Sequence, residues 1–137
     1  MTRLPARQTL LLILVPLLAT FAGQRLFLHL VGVHHVRTNG LIIHHLFFGV
    51  LLVLPSAFVI AFNPRRRWAA MLACVVMGIG SAMVLDEIVY LVATPASDSD
   101  YVSPLSLWGA VIFISLAVLL LLALFRLHRN DEQPGSK

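Results

Sequence analysis

Six ionisable residues stand out by type and spacing: Arg25 and His29, the adjacent His44 and His45, and the adjacent Asp86 and Glu87. Neutral imidazoles and carboxylates are ligands for Zn²⁺, Fe or Mn, and a metal held with an open position would activate water. A set of His29, His45 and Asp86, completed by His44 or Glu87, has the right donor chemistry, with Arg25 as an ion-pair partner. The same residues also suit three other roles. They could form an ion-pair and hydrogen-bond staple, a stretch of proton or ion path, or a bis-histidine haem site built on His29 and His45.

These residues sit in unusual surroundings. Of the 137 residues, 59% are apolar and 12% charged, against about 45–50% and about 25% in soluble domains. The apolar residues form blocks longer than the roughly 18 needed to cross a bilayer. Such a composition excludes a soluble enzyme, a disordered regulator and a secreted disulfide scaffold. A single cysteine, Cys74, excludes an internal disulfide or a CxxC redox pair. One integral membrane domain over residues 1–137 is expected, all-α, with spans at about 8–33, 41–62, 68–93 and 105–127. Breakers separate them at Thr38-Asn39-Gly40, at Asn63-Pro64 and over Pro95–Pro104. Asn63-Pro64 and Ser103-Pro104 each read as an N-cap followed by proline in the first helical position. The tail from Asn130 reads as polar and frayed.

Charge sets the expected orientation. Eight of the ten Lys and Arg residues are Arg3, Arg7, Arg65, Arg66, Arg67, Arg126, Arg129 and Lys137. With four spans these fall on one side, and the positive-inside rule makes that side the cytoplasm. Both termini are therefore expected inside, in a multi-pass protein of the plasma membrane. The basic residues have lipid headgroups as natural partners, not nucleic acid, and a homo-oligomer is compatible with the pattern. The first span also has signal-peptide features, with Thr20-Phe21-Ala22 as a candidate cleavage site. Its apolar pattern continues to Val33, so a retained helix is expected.

Alternating span direction brings all six residues to the outer side, about 6–12 Å below the helix ends at 1.5 Å per residue. Arg25 and His29 share a face at i and i+4. His45 shares a stripe with Gly49 and Ser56, and Asp86 with Gly78 and Ala82. Small residues mark close helix approach, so Arg25, His29, His45 and Asp86 are expected to point inward. His44 and Glu87 are turned about 100° from their neighbours and rank second. The fourth span, with no ionisable group before Arg126, reads as a wall. Tyr101 and Trp108 read as interface anchors, and the Ser97–Asp100 stretch as a solvated loop.

Arg25-x3-His29, then Ile43-His44-His45-x3-Gly49, then Gly78-x-Gly80-x4-Leu85-Asp86-Glu87 resembles a family of small uncharacterised prokaryotic integral membrane proteins. The resemblance implies no activity. A looser similarity is to membrane hydrolases related to alkaline ceramidases, which combine His, Asp and Ser at a membrane zinc site but have about seven spans and a different His spacing. By analogy, a metal-dependent activity on a lipid-like substrate is one expectation. The other is a non-catalytic membrane protein, an ion-handling or partner subunit with a structural polar cluster.

Overall fold

The computed structural model describes residues 4–32, 36–38, 41–62, 64–95 and 97–131. Four long helices dominate: α1 (Ala6–Val31), α2 (His45–Ala61), α3 (Arg67–Ala93) and α5 (Pro104–Asp131), with a four-residue helix α4 (Asp98–Tyr101) leading into α5. Three helical stretches, Ala6–Val31, Arg67–Ala93 and Pro104–Arg129, are long and apolar enough to cross a membrane. The chain is thus a membrane protein by the length and composition of its helices. Helix α2, at 17 residues, rises about 26 Å, a few ångströms short of the roughly 30 Å hydrocarbon core.

The second element begins later than expected. Leu41–Ile43, read from the sequence as the start of a span, pairs as strand β2 with β1 (Val36–Thr38). The antiparallel register sets Thr38 opposite Leu41, so two residues connect the strands. Asn39 and Gly40, the expected breaker, lie outside the described residues. A two-residue Asn-Gly connection followed by β-branched Ile42 and Ile43 favours a hairpin over an early helix start. His44 is left extended (φ −76°, ψ 144°) as the N-cap of α2.

The other boundaries follow similar local rules. Helix α3 starts at Arg67 with Arg66 as N-cap, so Pro64 precedes the helix and does not open it; Asn63 lies outside the described residues. Helix α5 does begin at Pro104, and the Ser103 hydroxyl accepts a hydrogen bond from the Ser106 N–H at 3.3 Å, as an N-cap should. It runs on through Asn130 to Asp131, past the expected end, and residues 132–137 lie outside the description. The expected solvated loop contains α4, opened by a capping box between Ser97 and Asp100.

Helix α3 is the hub, packed against α2, α1 and α5, while α1 also touches α5. Its small residues allow this. Gly80 and Gly49 face each other so closely that a Cβ on either would stand 2.7 Å from the other's carbonyl oxygen. Gly78 lies in the same way against the Ile13 carbonyl of α1, and Gly109 of α5 against Val89. Leu17, Ala82 and Ile114 form the buried centre. Large side chains such as Leu51, Phe58, Leu120 and Leu124 are exposed, as expected of surfaces that face acyl chains.

Candidate functional site

One end of the bundle carries a continuous polar cluster. It forms where the C-terminal halves of α1 and α3 meet the start of α2, α4 and the start of α5. Asp86 is its centre and is fully buried. Arg25 of α1 donates from Nε to Asp86 Oδ1 at 2.6 Å. Its other nitrogens donate to the Asp86 carbonyl oxygen, to the Tyr101 carbonyl oxygen, and to the carbonyl and hydroxyl oxygens of Ser106, at 3.2–3.4 Å. The planar guanidinium, with five N–H donors, thereby ties α1 to α3 and to the α4–α5 junction. Its carbon also lies 5.3 Å from the centroid of the Tyr101 ring, within cation–π range.

Tyr101 closes the cluster from α4. Its hydroxyl donates to Asp86 Oδ2 at 2.6 Å and lies 2.8 Å from His45 Nε2. The ring is buried, 4.7 Å between centroids from the ring of the fully buried Tyr90. Burial, and then the neighbouring Asp86 carboxylate, raise the pKa of this hydroxyl well above the usual tyrosine range, so it remains a donor.

Glu87 anchors the α2 side. Its Oε2 accepts the Leu46 N–H at 2.6 Å, and its Oε1 lies 3.2 Å from His44 Nδ1 and 3.3 Å from His45 Nδ1. Leu46 is the second residue of α2, so its amide is one of the orphan donors at a helix start. His44, the N-cap, supplies no side-chain cap. A carboxylate from the neighbouring helix does so instead, where the helix dipole favours negative charge.

The structure thus brings together Arg25, His44, His45, Asp86 and Glu87, but His29 stands apart. His29 is exposed, and with Arg25, Leu28, Val102 and Leu107 it lines a separate cleft of about 170 Å³. No hydrogen bond or ion pair joins it to His45, Asp86 or Glu87. Among the described residues, no group of three or more His, Cys, Asp and Glu side chains is placed to hold a metal ion.

Three sequence expectations need correction. Glu87 and His44, ranked behind their neighbours, are full members: Glu87 is 2% exposed and Asp86 0%. A helical wheel assumes one inward face, whereas α3 is enclosed by α2 on one side and by α1 and α5 on the other. Adjacent residues of a hub helix can both be inside. Tyr101, expected at the interface, is buried, and Ser106 on the supposed wall helix is 0% exposed and bonded to Arg25. The sequence signal for Tyr101 was weak but present: an aromatic with a polar tip in the Pro95–Pro104 breaker that follows the Asp86-Glu87 end of the third span.

The chain matches no family profile, no curated protein and no solved structure.

Proposed function

We propose that this chain is a non-catalytic multi-pass protein of the plasma membrane, an ion-handling or partner subunit, whose polar cluster is an internal network fixing the outer end of the bundle. One observation carries the reading: both oxygens of the buried Asp86 carboxylate are engaged by protein donors at 2.6 Å, Arg25 on one and Tyr101 on the other. A buried charge is tolerated when it is paired and hydrogen-bonded, and here the pairing is complete without a ligand. The eight-to-two distribution of Lys and Arg supports placing both termini in the cytoplasm and the cluster near the outer face.

The competing reading is a metal-dependent activity on a lipid-like substrate. It is favoured by the convergence of His44 and His45 on Glu87 Oε1. Elemental analysis of the purified protein and a double-mutant cycle separate the two. For an internal network, the wild type contains no stoichiometric Zn, Fe or Mn. Arg25→Met and Asp86→Leu would each destabilise the fold by about 3–5 kcal/mol, because each leaves a charge buried and unpaired. The double variant would recover most of that loss. A stoichiometric metal that disappears in a folded His45→Ala variant would overturn the network in favour of the metal site.

A further inference from the structure

We propose that the end of the bundle opposite the polar cluster holds an anionic phospholipid, its acyl chain in a cleft along the first turns of α1 and its phosphate against Arg7 and Arg67. The inference is independent of the internal-network reading, because no residue of that network takes part.

The fold brings four arginines together from two distant segments. Arg7 lies in the first turn of α1, and Arg65, Arg66 and Arg67 lead into α3. Gln8 joins them: its Oε1 accepts from Arg67 Nη2 at 2.7 Å, and its Nε2 donates to the Met71 sulfur at 3.9 Å. With both ends of its amide engaged, Gln8 fixes the Arg67 guanidinium beside the start of α1. All four arginines are exposed, and among the described residues none has a carboxylate partner. Asp86, Glu87, Asp98 and Asp100 all lie toward the far end of the bundle. Clustered Arg residues at a membrane surface attract anionic lipid headgroups, and the guanidinium fork matches phosphate oxygens two at a time.

This charged rim continues into an apolar cleft. Arg7 and Gln8 line a cavity of about 520 Å³ together with Leu11, Leu12, Val15 and Pro16, a volume usual for small-molecule pockets. From Pro5 to Pro16 the cleft runs about 16 Å along the helix axis at 1.5 Å per residue. That is about half of the roughly 30 Å hydrocarbon core, the depth of one leaflet. Leu11 and Val15 are 45% and 57% exposed, so the cleft opens sideways to acyl chains. Beyond Gln8 its lining offers no polar side chain, and water would find no partners there. A second copy docked about a two-fold axis normal to the membrane would set the same arginines against each other, whereas a phosphate offsets them. A polar charged mouth above an apolar slot one leaflet deep has the two-part chemistry of a phospholipid.

The test is quenching of a tryptophan in the cleft by brominated lipid. Leu11→Trp is built on Trp68→Phe and Trp108→Phe, which remove both native tryptophans, and the full chain is reconstituted in dioleoyl phosphatidylcholine vesicles. Dibrominated phosphatidylglycerol, added as a minor component, should quench the introduced indole more than dibrominated phosphatidylcholine at the same mole fraction. Val15→Trp, on the same face at i+4, repeats the measurement. Arg7→Gln and Arg67→Gln should each lower the preference roughly fivefold, the value of one arginine at an anionic surface. Arg126→Gln, on α5 and outside the cleft lining, should leave it unchanged. Equal quenching by the two lipids overturns the proposal, and this comparison needs none of the arginine variants to fold. A preference that survives Arg7→Gln and Arg67→Gln together, or that Arg126→Gln lowers equally, would belong to surface charge in general and overturns it too. Quenching by neither lipid would show the cleft covered by protein, again against the proposal. Soluble glycerol 3-phosphate should not relieve the quenching; relief would mark a phosphate site that makes no use of the acyl chain and would overturn the lipid as its occupant.

Discussion

Glu87 of α3 caps the amino-terminal end of α2, its Oε2 accepting the Leu46 N–H at 2.6 Å. The second helix therefore depends for its start on a side chain 41 residues further along the chain. Glu87→Ala should cost about 1–3 kcal/mol through the unsatisfied amide, with additional loss from the freed histidines. Glu87→Gln, which keeps an acceptor at this position, should cost less. Thermal unfolding in detergent, followed by helical circular dichroism, would rank the two; an equal cost would show that the cap contributes nothing.

Tyr101 joins α4 to Asp86 and His45 through one oxygen. Tyr101→Phe keeps the ring against Tyr90 and should lose about 1–3 kcal/mol, the cost of a buried acceptor left without its donor. Tyr101→Leu should lose more, since the aromatic packing goes as well. Unfolding midpoints of the two variants beside the wild type check the order.

Alkaline pH should act on the same hydroxyl. Its pKa is raised in the folded chain by burial and then by Asp86, whereas the unfolded phenol titrates near 10. The native state thus holds the proton longer than the unfolded state, and the stabilisation is fully present below about pH 10 and is lost as pH rises toward the folded value. Ultraviolet titration of a Tyr90→Phe variant, in which Tyr101 is the remaining tyrosine, should show no phenolate at pH 11 while the fold persists. Phenolate forming at pH 10 in folded protein would contradict this.

Close approach of α2 and α3 rests on the absence of a side chain at two positions. A Cβ at Gly80 would meet the Gly49 carbonyl oxygen at 2.7 Å and the Leu52 Cβ at 2.9 Å. Gly80→Ala should therefore destabilise by about 1–3 kcal/mol, although alanine is the better helix former by about 1 kcal/mol. Gly23→Ala, where nothing lies within 4 Å, should be neutral or stabilising. Chemical unfolding of both variants gives the contrast.

Orientation and processing have their own tests. A cysteine at Ser99, in the exposed turn before Tyr101, should react with a membrane-impermeant maleimide added outside intact cells, and a cysteine at Gln133 should not. The buried Cys74 gives little background. Intact mass should show the first helix retained, since Arg25 holds Asp86 from within it. The reverse labelling pattern would place the cluster at the inner face.

The sequence by itself determined the membrane-spanning character, the four apolar elements and the polar layer. These follow from composition, from block length and from alternating direction, all of which are properties of a linear chain in a bilayer. Pro104 and the close-approach glycines Gly49 and Gly78 were legible too, although the same proline rule failed at Pro64, which precedes the helix start at Arg67. Tertiary structure decided the rest. Whether Leu41–Ile43 is helix or strand depended on hairpin pairing with Val36–Thr38. That Glu87 and Asp86 are both inside depended on α3 being enclosed on opposite sides, which no single-face wheel can express. His29 shares a helical face with Arg25 but is exposed and lines a separate cleft. Tyr101 and Ser106 entered through α4, a four-residue helix whose position depends on Arg25 binding its last carbonyl. Periodicity places a residue on a face, but the partner that face meets is set by packing.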